Sequence, residues 1–457
     1  MRKAPPTTMR PPPVSGKPSS DHPVREPEVI TAALDGTKQA AAPASPVITR
    51  RSLLVGGAAA AGTALLGTLP IVIQAQGTQT PSSGAAQPPG RPLGEPTSAI
   101  SVRSPFEQPA RTPTGQVTGA SFSPLQEFSG TITPTDLQFE RHHAGVPTIN
   151  PADYRLLVHG LVDRPTVFTL ADLRRLPSTT RTYFLECSGN GRTAYRAPKR
   201  ELTPQLVDGL TSNAEWTGVP LTTVLTEIGV KPGAAWMLAE GGDAALLSRS
   251  IPLEKAMDDA LLVYAQNGEP LRPAAGYPVR LLLPGWEGNV NVKWLRRLKL
   301  IAQPNMSRDE TSRYTDPLPN GTARQFSFVL DVKSIITHPA HPVRLGRQEW
   351  VQIAGIAWSG RGKVTRVELS TNGGATWTGA ELQEPVLSKA HTRFTRMWRW
   401  NGGPATLLSR ATDETGATQP TLAKFREKRG QGTDYHFNHI RGWVVEQDGL
   451  VVYQVDA

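Results

Sequence analysis

The stretch Arg181-Thr-Tyr-Phe-Leu-Glu-Cys187-Ser-Gly-Asn-Gly-Arg192 decides how the rest of the chain is interpreted. Cys187 is the only cysteine among 457 residues, so it cannot form an intramolecular disulfide. The apolar run Tyr183-Phe-Leu185, followed by Ser188-Gly-Asn-Gly191, predicts a strand that delivers the thiol to a tight turn. The basic flanks favour the thiolate, which is the nucleophilic and metal-binding form of cysteine. A buried, inert cysteine is the alternative, but it would need neither the glycine-rich turn nor the arginines.

The charge of the chain indicates an anionic substrate or an acidic partner. The formal net charge is +10, and residues 1–51 contribute eight basic and four acidic residues, so the remainder carries +6. A positive field of this kind attracts anions and acidic protein surfaces. Nucleic acid is disfavoured as a partner, because no basic helix and no Lys/Arg block with interleaved aromatic residues occurs.

The N-terminal region has the composition of a targeting segment. Residues 1–48 are rich in proline and small residues, which predicts disorder. Arg50-Arg51 then precede an Ala/Gly/Leu run that ends near Ile73, which indicates a twin-arginine signal for export to the periplasm. A membrane anchor is the alternative, because the run approaches the ~20 residues that span a bilayer. We therefore predict an extension plus signal over 1–76 and a Pro/Gly/Ser/Thr-rich linker or extended arm over 77–120.

The remainder predicts an α+β protein in two parts. In residues 121–323, apolar runs predict strands at 154–162, 261–264 and 279–283, and a strand and turn at 236–243. Apolar spacing and end signals predict helices at 170–176, capped by Thr169, and at 220–229, with a further short helix starting at Pro252. Residues 324–457 predict an all-β sandwich of immunoglobulin size, with strands at 350–358, 364–370 and 376–377 and a hairpin turn at Asn372-Gly373.

The motif Glu186-Cys187-Ser-Gly-Asn190 resembles the Glu-Cys-Ala-Gly-Asn motif of the sulfite oxidase family of molybdenum enzymes. In that family the cysteine sulfur binds molybdenum beside the dithiolene of molybdopterin. The resemblance therefore implies that Cys187 is a metal ligand and a catalytic residue. It also implies a sulfite-oxidase-type molybdopterin domain of mixed β-sheets with short helices over 121–323. The immunoglobulin-like sandwich over 324–457 would then serve dimerisation.

Further segments resemble the cofactor and substrate segments of the same family. They are Phe139–His143, Glu240–Asp243, Asn267–Arg280, Val292–Leu295 and Ser312–Tyr314. The resemblance implies catalytic roles for Arg141, Arg192 and Tyr314, with Arg141 facing substrate oxygens. It implies cofactor binding by His143, Asp243, Arg280 and Lys293. The sequence departs from the family pattern at two positions, where His142 replaces an asparagine and Ala275 replaces a histidine.

A narrower resemblance lies within the family. The stretches 281–295, 371–377 and 383–387 look like the molybdenum subunit of the bacterial sulfane dehydrogenases, SoxC, and His142 and Ala275 fit that subgroup better than sulfite oxidases. This implies oxidation of a sulfane sulfur on a carrier protein's cysteine during thiosulfate oxidation, and a c-type cytochrome as electron acceptor. This sequence cannot attach a c-type haem, because such an attachment needs a Cys-x-x-Cys-His motif and the sequence has one cysteine.

Two alternatives stay open at this point. The first is a sulfite dehydrogenase that acts on free sulfite. The second is a secreted, non-catalytic binding module in which the Cys187 site is vestigial and the sandwich contacts a partner.

Replacing Arg50 and Arg51 together with lysine is expected to trap a precursor in the cytoplasm, because the arginine pair directly precedes the apolar run. Fractionation and immunoblotting measure this. The matched double change Arg2→Lys with Arg10→Lys, outside the motif, should leave export unchanged. Normal export of the Arg50/Arg51 variant would mean that this pair is not the signal.

Overall fold

The computed structural model describes residues 95–346 and 350–455, and Thr97–Ala457 forms one compact unit. The predicted extension and export signal over 1–76, and the first part of the predicted linker, lie outside the described residues. In the described part of the chain, no helix is long and apolar enough to cross a bilayer.

Short strands dominate the described chain up to residue 324. They are β1 (Thr112–Pro113), β2 (Ala120–Phe122), β3 (Glu140–Arg141), β4 (Leu156–Gly160), β5 (Thr166–Phe168), β6 (Thr179–Glu186), β7 (Thr211–Pro220), β8 (Trp236–Gly241), β9 (Ser248–Pro252), β10 (Leu261–Gln266), β11 (Glu269–Pro270), β12 (Arg280–Leu282), β13 (Leu295–Ile301), β14 (Asp316–Pro317) and β15 (Ala323–Arg324).

The helices between these strands are also short. They are α1 (Leu170–Arg175), α2 (Arg192–Arg196), α3 (Pro204–Asp208), α4 (Leu221–Ile228), α5 (Leu253–Asp258) and α6 (Arg308–Thr311), with single 3-10 turns at Leu125–Glu127, Thr135–Leu137, Pro273–Ala275 and Gly288–Val290.

Two five-stranded sheets organise this part. One has the order β5-β4-β13-β8-β9, with β13 parallel to β4 and the other pairs antiparallel. The other has the order β11-β10-β7-β6, with β12 also paired to β10, and it is antiparallel throughout. Both sheets and α4 contribute to one apolar cluster that includes Leu156, Leu262 and Leu225. The predicted α+β class with mixed sheets and short helices is confirmed.

The helix ends follow local signals that the sequence displays. In α1, the Thr169 side chain accepts from the Asp172 N–H, and the Asp172 carboxylate accepts from the Thr169 N–H in return. This reciprocal cap satisfies donors that the first helical turn leaves free. The second predicted helix, α4, stops at Gly229, whose φ of +74° lies in the left-handed region that glycine tolerates.

The last part of the chain is a β-sandwich. Its elements are β16 (Lys333–His338), β17 (Trp350–Trp358), β18 (Val364–Ser370), β19 (Thr378–Gly379), β20 (Glu381–Leu382), β21 (Thr392–Arg399), β22 (Ala405–Asp413), α7 (Leu422–Arg429), β23 (Gly442–Val445) and β24 (Val451–Tyr453). They form the sheets β16-β17-β21-β20 and β19-β18-β22-β23-β24. The predicted immunoglobulin-like sandwich is therefore confirmed.

One predicted strand is misplaced. Thr376–Trp377 belongs to the turn, because the Thr376 N–H and hydroxyl both bond back to the Asn372 side chain. The returning strand β19 starts at Thr378 and pairs antiparallel with β18, so the hairpin at Asn372-Gly373 exists but its loop is longer than predicted.

The cysteine strand is tied to the sandwich by a buried ion network, which we define as Glu186, Asp208, Lys333 and Arg441. The Lys333 Nζ lies 2.9 Å from Glu186 Oε1 and 2.6 Å from Asp208 Oδ1, and Arg441 pairs with Asp208. All four side chains are almost inaccessible to solvent. Burial acts to raise the pKa of Asp208, but the facing cations outweigh it and hold that pKa below its usual value.

Replacing Lys333 with methionine should destabilise the protein by about 3–5 kcal/mol, because it leaves Glu186 and Asp208 buried without their shared cation. The free energy of unfolding in urea measures the effect. The matched change Lys424→Met, at an exposed position of α7, should stay within about 0.5 kcal/mol. Equal stability of the two variants would show that the network contributes nothing to the fold.

Candidate functional site

A cavity of about 190 Å³ opens beside Cys187. It collects residues from both five-stranded sheets, from β3 and from the loop after α6. Seven of the eight predicted site residues line it: Arg141, His143, Cys187, Asp243, Arg280, Lys293 and Tyr314.

The backbone holds Cys187 at the end of β6 in a tight turn. Its N–H donates to the Leu210 carbonyl at 2.9 Å, and its own carbonyl accepts from the Asn190 N–H at 2.8 Å. On the other side, a Cβ atom at Gly288 would lie 2.8 Å from the Glu186 carbonyl oxygen and 3.3 Å from the Cys187 Cα. Glycine at 288 is therefore what lets the next segment close against the cysteine. The predicted strand and turn are confirmed.

The protonation of Cys187 differs from the expectation based on its basic flanks. Burial raises the pKa of the thiol, and the opposing contributions of the Gly189 N–H, Arg141 and Arg192 do not overcome it. The arginines do favour the thiolate, as predicted, but burial outweighs them, so the thiol is the favoured form in the chain alone. A soft metal ion would reverse this balance, since binding requires the deprotonated sulfur and releases its proton.

Cys187 stands alone as a metal donor. Among residues 95–346 and 350–455, no group of three or more His, Cys, Asp or Glu side chains is placed to hold a metal ion. A metal on this sulfur would need its other ligands from a bound cofactor. This donor set fits a dithiolene-bearing molybdopterin, which brings its own sulfur ligands.

Three residues that line the cavity carry buried polar atoms without protein partners. Arg280 donates to the Ala275 carbonyl at 2.8 Å and to the Asn291 carbonyl at 3.1 Å, but its Nε has no acceptor. Asp243 Oδ1 and Asn289 Oδ1 are likewise buried without a donor. Buried polar groups are rarely left unpaired in folded proteins, so these three atoms indicate a polar ligand. A pterin with a phosphate offers both the donors and the acceptors that they lack.

Tyr314 and His143 form a polar pair that also lines the cavity. The Tyr314 hydroxyl and His143 Nε2 lie 3.0 Å apart, and the buried Arg249 guanidinium lies 4.9 Å from the Tyr314 ring centre. Burial lowers the pKa of His143 to about 4 and raises the pKa of Tyr314. At neutral pH the imidazole is therefore uncharged and the phenol keeps its proton.

Arg192 is the predicted site residue that does not line the cavity. Its guanidinium donates to the Asp434 carbonyl, from Nε at 3.1 Å and from Nη2 at 2.7 Å, and lies 5.3 Å from the Tyr435 ring centre. Its positive charge still acts on the Cys187 thiol. The structure thus places Arg192 behind the wall, where it supports a segment of the sandwich.

That segment was missed by sequence analysis. The His436 N–H donates to the Ser188 carbonyl at 2.8 Å, directly after Cys187. The Tyr435 ring lies 5.4 Å from the Tyr314 ring, and its hydroxyl donates to the Arg313 carbonyl. Local sequence carries no signal for these contacts, because Tyr435 follows the cysteine by more than 240 residues and sits among sandwich residues.

Two protein-family models match most of the described chain. The family model "Oxidoreductase molybdopterin binding domain" matches residues 143–308, and "Mo-co oxidoreductase dimerisation domain" matches residues 324–441. The crystal structure of the sulfane dehydrogenase SoxCD from Paracoccus pantotrophus is similar with a TM-score of 0.78 and 43% identity, over 81% of this chain and 98% of that chain.

Curated relatives are more distant. Mitochondrial sulfite oxidase of Mus musculus is 31% identical over 391 residues, which cover 80% of this chain and 69% of the relative. An NADH nitrate reductase of Solanum lycopersicum is 34% identical over 333 residues, 64% of this chain, which spans only 36% of that relative's length. The fold and the site define a molybdopterin-binding oxidoreductase. Within that class, the chain belongs to the sulfite oxidase family and is close to SoxC.

Changing Cys187 to serine should remove molybdenum and turnover while leaving the fold intact, because a hard hydroxyl is a poor substitute for a soft thiolate. Metal analysis, steady-state assays and a urea unfolding curve of the purified variant measure the three effects. Thr180→Ser, an exposed change in the same strand, is the matched control. Wild-type turnover by the Cys187 variant would exclude the sulfur as the essential metal ligand.

Proposed function

We propose that this chain is the molybdenum subunit of a periplasmic sulfane dehydrogenase. It would oxidise a sulfane sulfur held on the cysteine of a carrier protein during thiosulfate oxidation. The observation that carries this proposal is the 43% identity to a SoxCD chain over 98% of that chain, against 31% identity to mouse sulfite oxidase. The geometry of the cavity supports it, because Cys187 and the unpaired wall atoms fit the cofactor that this chemistry needs.

Different residues of the cavity would bind different parts of the cofactor. Cys187 would bind the metal, and Asp243 and Arg280 would pair their free atoms with the pterin and its phosphate. The guanidinium of Arg280 suits a phosphate because it offers charged, planar donors. When bound, the molybdenum centre would supply the two-electron oxidation of the substrate sulfur.

The substrate side would be formed by Arg141 and Tyr314, and His143, which is predicted to bind the cofactor, contacts the Tyr314 hydroxyl. The Arg141 Nη1 donates to the Thr118 carbonyl at 2.8 Å, which holds the guanidinium at the wall beside Cys187. Its charge would attract oxygens on the substrate or product sulfur. The Tyr314 hydroxyl keeps its proton at neutral pH and can donate it in a hydrogen bond to such an oxygen, while the uncharged His143 orients it.

Electrons would leave the chain through a partner. The single cysteine leaves no c-type haem attachment in this sequence, so we propose a separate c-type cytochrome as acceptor. The net positive charge supports an acidic docking surface on that partner.

We also propose a homodimer through the sandwich and export by the twin-arginine route. The dimerisation-domain match supports the first proposal. So do Trp350 and Met397, which are 66% and 51% exposed and share one face of the β17–β21 pair. Apolar side chains exposed together on a sheet face are typical of an interface. The Arg50-Arg51 pair before the apolar run supports the second proposal.

Carrier-bound sulfane sulfur is expected to give a far higher kcat/KM than free sulfite, because remote contacts with the carrier supply binding energy that a small anion lacks. Steady-state cytochrome reduction with thiosulfate-loaded carrier and with sulfite alone makes the comparison. Equal efficiency on sulfite would favour the sulfite dehydrogenase alternative. Molybdenum-free protein from a molybdate-replete host would favour the non-catalytic binding module.

Arg141→Met should lower kcat/KM for either substrate roughly tenfold to hundredfold, since a charge-assisted contact to an oxyanion contributes about 1.5–3 kcal/mol. The same cytochrome assay measures it. Arg164→Met, at an exposed position in a surface ion pair, is the control and should leave kcat/KM unchanged. An Arg141 variant with full activity would remove this arginine from substrate recognition.

A further inference from the structure

Four side chains form a continuous polar chain from the rim of the cavity to its wall. The partly exposed Arg111 pairs with Glu140, and His142 Nε2 lies 3.0 Å from Glu140 Oε2. On the other side of the same ring, His142 Nδ1 lies 2.9 Å from the Lys293 Nζ. The imidazole therefore bridges a carboxylate near the rim and an amine inside the cavity.

The hydrogen-bond partners at the two ends determine the tautomer of His142. A lysine ammonium can only donate hydrogen bonds, so the Lys293 contact requires a lone pair on His142 Nδ1. An ionised carboxylate can only accept, so the Glu140 contact requires a proton on His142 Nε2. Glu140 is ionised, since its hydrogen bond to His142 and the neighbouring Arg111 overcome burial and lower its pKa to about 2. A neutral His142 with its proton on Nε2 satisfies both contacts.

Lys293 uses its three protons on the protein itself. Besides His142, its Nζ donates to the Arg141 carbonyl at 3.1 Å and to the Ala274 carbonyl at 3.1 Å. An ammonium has three N–H groups, so none is left for a ligand in this arrangement. Lys293 therefore joins three wall segments, and its predicted contact with the cofactor would be made by its charge and not by a free donor.

We propose that His142, held with its proton on Nε2, is a positioning residue that fixes the Lys293 ammonium in the cavity wall and couples its charge to the Arg111–Glu140 pair at the rim. The inference rests on the proposed use of the cavity for the cofactor, whereas the tautomer is a property of the chain itself.

The coupling has a defined sign. Burial and the nearby Arg280 lower the pKa of Lys293 to about 7, and Arg141 adds to this, while Glu140 and Asp243 raise that pKa. Removing the Glu140 charge therefore lowers the pKa of Lys293 further. The ammonium exists below its pKa and is lost as the pH rises, so the positive charge would disappear at a lower pH.

His142 itself stays neutral over this range. Burial lowers its pKa, and the neighbouring Lys293 and Arg141 act in the same direction, against the raising effect of Glu140. The Trp294 ring, 5.9 Å away, adds no charge to this environment. The pH response is therefore expected from Lys293 and not from the imidazole.

The tautomer can be read directly by solid-state ¹⁵N spectroscopy of the full-length, histidine-labelled holoenzyme at pH 6, where Lys293, with its pKa of about 7, is mostly the ammonium. The chain has nine histidines, and the signals that vanish in His142→Asn identify the ring. If that variant does not fold, the signals that shift in Glu140→Gln identify it instead. A protonated Nε2 with an unprotonated Nδ1 is expected. A proton on Nδ1, alone or together with Nε2, would overturn the proposal.

The coupling is tested by the pH profile of kcat/KM. Glu140→Gln should move the alkaline limb to lower pH by about one unit, the size of a charge interaction across one side chain. His142→Asn keeps an acceptor for Lys293 but cannot reach Glu140 as well, so it should move the limb in the same direction. Glu227→Gln, in an exposed ion pair with Arg164, is the matched control and should leave the profile in place.

If the His142→Asn variant lost activity at all pH values and the alkaline limb of its kcat/KM profile did not move, His142 would have only a structural role. That result would overturn the coupling. Failure of the proposed function looks different. A chain that lacks molybdenum and turnover would contradict that function, while the ¹⁵N spectrum would still decide the tautomer.

Discussion

The site depends on the buried ion network that joins the cysteine strand to the sandwich. Burying four charged groups is costly unless each faces an opposite charge, and here Lys333 satisfies Glu186 and Asp208 together while Arg441 completes Asp208. Glu186 also accepts from the Asn190 amide and the Trp358 indole, so the residues that flank Cys187 are fixed from the sandwich side. The sandwich is therefore part of the framework of the site and not an appended module.

In the chain alone, the cavity holds buried ionisable groups that favour their neutral forms and polar atoms without partners. The same burial raises the pKa of the Cys187 thiol and lowers the pKa values of His143 and Lys293, because each group is forced towards its neutral form. At the same wall, Asp243 keeps an unpaired oxygen and Arg280 an unpaired Nε–H. A ligand that carries a metal, polar ring atoms and a phosphate would take the proton from the thiol and pair the free atoms of Asp243 and Arg280. This agreement links the family assignment to the physical state of the site.

The two departures from the family pattern meet in one place. Lys293 contacts both the His142 ring and the carbonyl of Ala274, which precedes Ala275 in the chain. An imidazole can bridge two partners because its nitrogens lie on different sides of the ring. The wall thus gains a bridge to Glu140 at the position where the family motif has an asparagine. The residues expected to bind the shared cofactor, such as Asp243 and Arg280, are therefore different from the residue that changes the surroundings of Lys293, which is His142.

The sequence by itself determined the features that arise from short-range physics. The strand and turn around Cys187, the cap of α1 at Thr169 and the stop of α4 at Gly229 follow from neighbouring residues, and the resemblance to known motifs identified seven residues that line one cavity. The tertiary structure decided the position of Arg192 behind the wall, the return of Tyr435 to Tyr314 and the protonated state of the thiol. These depend on burial and on partners more than 100 residues away, which no local pattern encodes.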